Sequence, residues 1–167
     1  LSKGITGGTM ALGVTTCTRQ VFNAFLSEDK LKTLFHGHSY TANPIACAAA
    51  LASLDIFLSE QCQQDILRIV SQHEKFRQNA RSYPYLKNIR QTGTIVAFEI
   101  VTSEADTYTH PLRDFLYTFF LQRHIILRPL GNTLYIMPPY CITNEQLQKV
   151  YDAIHELQDA LSKNKLT

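Results

Sequence analysis

The sequence has few cysteines, no long apolar run and no excess of charge of one sign. Its four cysteines, at positions 17, 47, 62 and 141, are far apart and form no Cys-x-x-Cys pair. That spacing argues against a zinc site or a disulfide framework and predicts reduced thiols in a cytoplasmic protein. The most apolar run, residues 45–52, is well short of the roughly 20 residues that a membrane span needs, and no signal-peptide pattern is visible.

The overall composition is that of an ordinary globular protein, with 45% hydrophobic and 18% charged residues. The 16 basic and 14 acidic residues leave a net charge of +2 without a block of like charge, so a nucleic-acid or anionic-lipid surface is not indicated. A length of 167 residues suits one domain or two pieces of a larger one. Because the first residues read as the middle of a domain, we expect the C-terminal part of a longer polypeptide.

Residues 1–60 have the pattern expected of part of an α/β domain. Small and β-branched residues at 9–16 predict a buried strand. A polar, turn-rich loop then ends in Asn43, which can cap a helix, and Pro44, which suits the first helical position. The helix that follows is rich in alanine and has no polar face, so we expect it to be buried.

Residues 61–167 predict a smaller α+β unit. The patterns indicate helices at 61–81 and 111–122 and strands at 94–101, 125–130 and 133–139. A final helix begins with a capping box of Thr143 and Gln146. Apolar residues of this helix repeat at spacings of three and four and predict one buried stripe, made of Leu147, Val150, Ile154, Leu157 and Leu161.

The first candidate for chemistry is Lys3, in the segment LSKGITGG. A lysine amine forms a Schiff base with an aldehyde only if it is held in position and can lose its proton. The glycines that follow allow the backbone to turn tightly and a flat ring to approach. Taken alone, the segment leaves a solvated or ion-paired surface lysine as the more common explanation.

The second candidate is the loop HGHSYTANP, residues 36–44. Backbone amides and the Ser39 hydroxyl, close to a helix N-terminus, could bind a phosphate. The alternative is a plain connection between a strand and a capped helix. His36 and His38 could suggest a metal pair, but no third ligand of suitable type lies nearby in the sequence, so no metal site is predicted.

The third candidate is Arg128, in the segment ILRPLGNTLYIMPPY. This arginine ends an apolar stretch and is followed by Pro129 and Gly131. A guanidinium group at such a position could bind a substrate carboxylate through two parallel hydrogen bonds. An ordinary ion pair at the surface or at a domain interface is the alternative.

Together and in this order, the segments LSKGITGGTMALGVTT, FHGHSYTANPIACAAALASL and ILRPLGNTLYIMPPYCIT resemble the class III pyridoxal-phosphate (PLP)-dependent aminotransferases. The resemblance covers essentially the whole chain. It implies an α/β protein, the C-terminal part of a fold-type I PLP-dependent transferase. Residues 1–60 would end the large PLP-binding domain, and residues 61–167 would form the small C-terminal α+β domain.

The resemblance implies roles for two of the three candidates in binding the cofactor. Lys3 matches the lysine that holds PLP covalently and carries a proton between substrate and cofactor. Gly37, His38 and Ser39 match the loop that, in this family, reaches across a homodimer interface. That loop binds the cofactor phosphate of the neighbouring subunit. Ser39 stands where threonine is expected and keeps the hydroxyl, whereas His38 stands where members from biotin biosynthesis usually have proline.

The resemblance also implies a reaction. Arg128 matches the residue that meets the carboxylate of the keto substrate, and Gly37 and Tyr135 match positions near the substrate. The segment RPLGNTLYIMPPY is more similar to members that serve biotin biosynthesis, which move an amino group from S-adenosylmethionine to 8-amino-7-oxononanoate and form 7,8-diaminononanoate. The alternative is another class III aminotransferase that acts on ornithine, 4-aminobutyrate or a related ω-amino acid.

Several parts of such an active site are not found in these 167 residues: the aromatic residue that stacks on the ring, the acidic partner of the pyridine nitrogen and the first phosphate-binding loop. We therefore expect the chain to be inactive by itself.

Two other functions stay open from the residues alone. One is a non-catalytic dimerisation or regulatory domain; the other, a Schiff-base lyase without cofactor, would need an acid/base set near Lys3 that the sequence does not offer.

Overall fold

The computed structural model describes residues 1–102 and 110–164. The chain divides into two compact units, Leu1–Glu60 (unit 1) and Gln61–Thr167 (unit 2). Their assignment to a large PLP-binding domain and a small C-terminal domain stays a prediction. Within the described residues no single helix has the length and apolar character to cross a membrane, and one pair of consecutive helices, at 44–58 and 60–80, meets the length and composition requirement only when counted together.

Unit 1 contains two α-helices, α1 (Arg19–Phe25) and α2 (Pro44–Leu58), and two 3-10 turns, Lys3–Thr6 and Lys30–Lys32. Each α-helix begins at a side-chain cap, because the first amides of a helix have no partner inside it. Thr18 Oγ1 accepts a hydrogen bond from the N–H of Val21 at 3.3 Å. Asn43 Oδ1 accepts one from the N–H of Ile45 at 3.0 Å, which confirms the predicted helix start.

Two predictions for unit 1 are wrong. Residues 9–16 form no strand, since a strand needs a neighbour along its length. In unit 1 this segment has one ladder-like pairing, in which Leu1 and Val14 exchange backbone hydrogen bonds of 2.7 and 2.8 Å. Helix α2 is mostly exposed, with Ala46 as its buried residue, because its main packing partner within unit 1 is the four-residue turn Lys3–Thr6.

Unit 2 contains a three-stranded antiparallel sheet in the order β1–β2–β3. Its elements are α3 (Glu60–Ala80), β1 (Leu86–Thr92), β2 (Ile95–Ile100), α4 (Leu112–Leu121), β3 (Thr133–Ile136) and α5 (Asn144–Asn164). In the central strand, Ala97 lies opposite Arg90 of β1 and Tyr135 of β3. The register of β1 shifts between Lys87 and Arg90, which marks a bulge.

The core of unit 2 lies between one face of the sheet and its helices. Alternate residues of β2, namely Val96, Phe98 and Ile100, are fully buried, as the two-residue period of a strand requires. The helices cover them with buried side chains, among them Ile69, Leu116, Phe120 and all five residues of the stripe predicted on α5. Each such burial contributes about 1.5–3 kcal/mol, and the predicted stripe on α5 is confirmed.

The other predictions for unit 2 are confirmed with one exception. The helices at 61–81 and 111–122 and the strands at 94–101 and 133–139 correspond to α3, α4, β2 and β3. In the capping box of α5, the N–H of Thr143 donates to Gln146 Oε1 at 3.0 Å, and the N–H of Gln146 donates to Thr143 Oγ1 at 3.2 Å. Residues 125–130 form no strand, because Pro129 has no N–H to donate and the pairing is a single bridge of Leu130 with Thr133. Strand β1 was not predicted, since most of its side chains are polar and exposed.

Candidate active site

Lys3 begins a 3-10 turn in a backbone conformation that L-amino acids rarely adopt. Its φ angle is 53°, in the left-handed region, which costs a residue with a Cβ roughly 1–2 kcal/mol. The turn ends at Gly7, whose φ is 61° and whose N–H donates to the carbonyl of Gly4 at 2.9 Å. The Lys3 side chain is exposed. Strain of this kind is often found at functional sites, where the surrounding structure maintains it.

The turn that carries Lys3 is fastened by Thr6, which is 1% exposed. Thr6 Oγ1 donates to the carbonyl of Met10 at 2.6 Å, and its own carbonyl accepts from Thr9 Oγ1 at 2.8 Å. The turn also lies against α2, because a Cβ added at Gly7 would come within 3.6 Å of Ser53 Oγ. Together with the Leu1–Val14 pairing, these contacts hold the backbone at Lys3 from both sides.

The loop of the second candidate contains a tight turn, and its residues 36–42 are all exposed. The N–H of Thr41 donates to the carbonyl of His38 at 2.9 Å, and Thr41 Oγ1 accepts from the N–H of His38 at 3.0 Å. The N–H of Tyr40 donates to His38 Nδ1 at 3.1 Å, so this ring nitrogen is the unprotonated one. Ala42 follows with a φ of 55°, and Asn43 then caps α2.

Three donor groups of this turn have no hydrogen-bond partner within residues 1–102 and 110–164: the N–H groups of Gly37 and Ser39 and the Ser39 hydroxyl. Amide and hydroxyl donors are the groups that bind phosphate oxygens. Lys3 adds an amine on an exposed turn, and a Cβ added at its neighbour Gly4 would meet nothing within 4 Å. The chain thus offers an amine suited to an aldehyde and, separately, donors suited to a phosphate, which are the two groups that PLP carries.

The remaining two predicted residues, Arg128 and Tyr135, lie in unit 2 on the two sides of one tight turn. Leu130 and Thr133 close that turn by exchanging two backbone hydrogen bonds of 2.9 Å, and Gly131 supplies the φ of 61° that the turn requires. Arg128 is exposed and precedes the turn. Tyr135 lies on β3 and is half-buried, on the face of the sheet opposite Leu134 and Ile136.

The structure adds one residue that the sequence analysis did not select. Thr41 closes the turn of the second candidate with both its backbone and its hydroxyl. The sequence did contain a signal, because a hydroxyl residue just after a short polar turn often bonds to the backbone of that turn. In HGHSYTANP, however, Ser39 and Thr41 are equivalent by that criterion, and the structure alone distinguishes the residue that closes the turn from the one that faces outward.

Comparison with known proteins assigns nearly the whole chain to the family that the three motifs predicted. Residues 1–157 match the family model described as Aminotransferase class-III. The chain is 40% identical over 169 residues to the adenosylmethionine-8-amino-7-oxononanoate aminotransferase of Synechococcus elongatus, a match that covers 96% of this chain and 37% of that relative. The chain thus spans little more than a third of the length of this curated relative.

Two solved structures show the same relationship in three dimensions. The adenosylmethionine-8-amino-7-oxononanoate aminotransferase of Methanocaldococcus jannaschii superimposes with a TM-score of 0.86 at 31% identity, over 95% of this chain and 37% of that one. An amine transaminase from an uncultivated Pseudomonas species, in its PLP-bound form, superimposes with a TM-score of 0.77 at 25% identity, over 92% and 36%. The predicted fold class, part of a PLP-dependent aminotransferase, is confirmed by these matches.

Proposed function

The chain belongs to the aminotransferase class III family, as its three motifs predicted, and on this basis we propose that the protein is a PLP-dependent aminotransferase of biotin biosynthesis. The proposed reaction moves an amino group from S-adenosylmethionine to 8-amino-7-oxononanoate and forms 7,8-diaminononanoate. The observation that carries this proposal is the 40% identity, over 96% of the chain, to a relative named for that reaction. We further propose a cytoplasmic homodimer with shared active sites.

Lys3 is the proposed residue that binds the cofactor covalently and carries a proton between the substrate and the cofactor. When bound, PLP supplies the electron sink that amino-group transfer requires. The contribution of this chain is an amine on a backbone turn that is held by Thr6 and by the Leu1–Val14 pairing. Such fixation matters because a proton carrier must stay within hydrogen-bond reach of both atoms between which it moves the proton.

The turn Gly37–Ser39 is the proposed binding site for the phosphate of the cofactor in the neighbouring subunit. Its free amide and hydroxyl donors suit phosphate oxygens, and its full exposure leaves it available to a second chain. Large apolar side chains of unit 1 are exposed as well, among them Phe22, Phe25, Leu26, Leu31, Leu34 and Phe35. An apolar surface of this extent supports a subunit interface in this part of the protein.

Arg128 is the proposed partner of the substrate carboxylate. The acceptor, 8-amino-7-oxononanoate, ends in a carboxylate, and a guanidinium group can bind both carboxylate oxygens at once. Gly37 and Tyr135 are the further residues proposed to lie near the substrate. The alternative is a class III aminotransferase that acts on ornithine, 4-aminobutyrate or a related ω-amino acid. The identity of 40% and 31% to relatives named for the reaction with adenosylmethionine gives S-adenosylmethionine precedence as the donor.

The decisive experiment follows the absorbance of the full-length protein loaded with PLP while S-adenosylmethionine is added. We expect the visible band of the lysine-bound cofactor to disappear and the near-ultraviolet band of pyridoxamine phosphate to grow. A band that ignores S-adenosylmethionine and responds to ornithine or 4-aminobutyrate would establish the alternative donor. The Lys3→Ala variant should lack the visible band, whereas Lys32→Ala, at another exposed lysine of unit 1, should retain it. Absence of the band in the wild-type protein would favour a non-catalytic domain.

A further inference from the structure

The turn that presents Ser39 is closed twice by a single residue, Thr41. Its N–H donates to the carbonyl of His38 at 2.9 Å, and its hydroxyl oxygen accepts from the N–H of His38 at 3.0 Å. Both backbone polar groups of His38 are therefore used inside the turn. This fixes the orientation of the two peptide planes that meet at His38, one shared with Gly37 and the other with Ser39.

The second of these planes determines the direction of the Ser39 amide. All described peptide bonds are trans, and in a planar trans peptide the C=O and the N–H point in opposite directions. Because the carbonyl of His38 points into the turn toward Thr41, the N–H of Ser39 points out of it. The next peptide is fixed in the same way, since the N–H of Tyr40 points toward His38 Nδ1 at 3.1 Å.

The Thr41 hydroxyl also lies beside the glycine at the start of the turn. A Cβ added at Gly37 would lie 3.4 Å from Thr41 Oγ1, which is van der Waals contact. With glycine at position 37, the hydroxyl reaches the N–H of His38 and closes the turn. The groups left for a ligand are the N–H of Gly37 and the N–H and hydroxyl of Ser39.

From this geometry we infer that Thr41 is a positioning residue for phosphate binding. It does not touch the phosphate itself; its N–H holds the His38–Ser39 peptide and its hydroxyl holds the Gly37–His38 peptide. The hydroxyl is thus the side-chain part of a closure that keeps the Ser39 amide directed out of the turn, toward the ligand. The inference rests on the proposed function, because it assumes that the ligand of the turn is the cofactor phosphate. It predicts that the contribution of Thr41 is confined to ligands that carry a phosphate group.

The test compares the affinities of the full-length apoprotein for PLP and for pyridoxal, which lacks the phosphate. Thr41→Val removes the hydroxyl and keeps the branched shape, and it should weaken PLP binding about three- to tenfold, the effect of one lost hydrogen bond, while pyridoxal binding is unchanged. Thr41→Ser should restore PLP affinity. Thr33→Val, at another exposed threonine of unit 1, is the matched control and should bind both compounds like the wild type.

Three results would overturn the inference. Equal weakening of PLP and pyridoxal binding by Thr41→Val would mean a general structural role, and unchanged PLP binding would mean no role. A wild-type protein that binds pyridoxal as tightly as PLP would overturn the phosphate site itself, and with it this part of the proposed function. Thr41→Ala serves as a second variant if Thr41→Val does not fold, because both lack the hydroxyl.

Discussion

His73 and Tyr151 form a hydrogen bond of 2.7 Å between the imidazole Nδ1 and the phenol oxygen in the interior of unit 2. The other ring nitrogen of His73 lies 3.0 Å from the carbonyl of Thr94. Since a carbonyl can only accept, Nε2 carries the proton and Nδ1 accepts from the Tyr151 hydroxyl. The pair thus joins α3 to α5 and both to the start of β2, through a neutral histidine that is fully buried.

Removing the Tyr151 hydroxyl should destabilise unit 2 by about 1–3 kcal/mol, because His73 Nδ1 would then be buried without a partner. The Tyr151→Phe variant keeps the ring that stacks on Phe76 at a centroid distance of 4.6 Å, so the loss would report the hydrogen bond. Urea unfolding of the full-length protein measures it. Tyr117→Phe, at an exposed tyrosine of α4, should change the unfolding free energy little, and an equal effect of both variants would contradict this assignment.

Stability should fall in acid because of the same histidine. Burial lowers the pKa of His73 from its ordinary value of 6.5, and the hydrogen bond to Thr94 opposes that shift only in part. The unfolded chain therefore binds a proton at a higher pH than the folded one, and the free energy of unfolding decreases as the pH falls below about 6.5. Above that pH the contribution is complete. Unfolding followed from pH 8 to about pH 5 should show a weaker pH dependence in His73→Asn, and the wild-type dependence in His155→Gln.

Replacing Ala42 by glycine should stabilise the protein. Ala42 has a φ of 55°, a conformation that costs an alanine roughly 1–2 kcal/mol. Glycine avoids this cost, but its larger conformational entropy in the unfolded chain offsets part of the gain in stability. The expected net gain is about 0.5–1 kcal/mol. Ala48→Gly, within α2, should instead lose about 0.5–1 kcal/mol. Thermal unfolding of the two variants gives shifts of opposite sign if the backbone argument holds, and two shifts of the same sign refute it.

Arg128→Lys should impair the second half of the proposed reaction and leave the first half intact. Lysine keeps the positive charge but cannot form two parallel hydrogen bonds with a carboxylate, so KM for 8-amino-7-oxononanoate should rise about tenfold. Conversion of the cofactor by S-adenosylmethionine should keep its rate. Arg113→Lys, at an exposed arginine of α4, is the matched control. An unchanged KM in Arg128→Lys would remove this residue from the proposed site.

The 167-residue chain should associate or precipitate when produced by itself. Unit 1 exposes large apolar side chains on α1, on α2 and in the segment between them, and an apolar surface of this size is rarely left in contact with water. Sedimentation velocity over a range of concentrations tests the expectation. A monomer that stays well dispersed at all concentrations would show that this surface needs no partner. Loss of association in a Phe25→Ser and Phe35→Ser double variant would identify the surface responsible.

Predictions from the sequence were accurate where neighbours in the chain determine the structure. Asn43 and Thr143 cap their helices as predicted, because a cap bonds to an amide two or three residues away. The stripe on α5 is buried as predicted, because the helical period alone places its members on one face. The three motifs also identified the family, which the family match over residues 1–157 confirms.

Predictions failed where the outcome depends on groups far away in the chain. Residues 9–16 have the composition of a strand, but a strand forms only beside another one, and unit 1 supplies a single pairing at Val14. The alanine-rich sequence of α2 was expected to be buried, yet burial depends on what packs against a helix. The polarity of β1 concealed a strand that exists because β2 pairs with it.

The sequence by itself determined the family, the helix caps, the apolar stripe of α5 and the candidate residues Lys3, Ser39 and Arg128. Their chemistry is a property of residue type and local spacing, which can be read without coordinates. Only the tertiary structure decided that Thr41 closes the turn while Ser39 faces outward, and that His73 is a buried neutral base bonded to Tyr151. These relations depend on the directions of individual peptide planes and on contacts between residues 78 positions apart, which composition and periodicity do not encode.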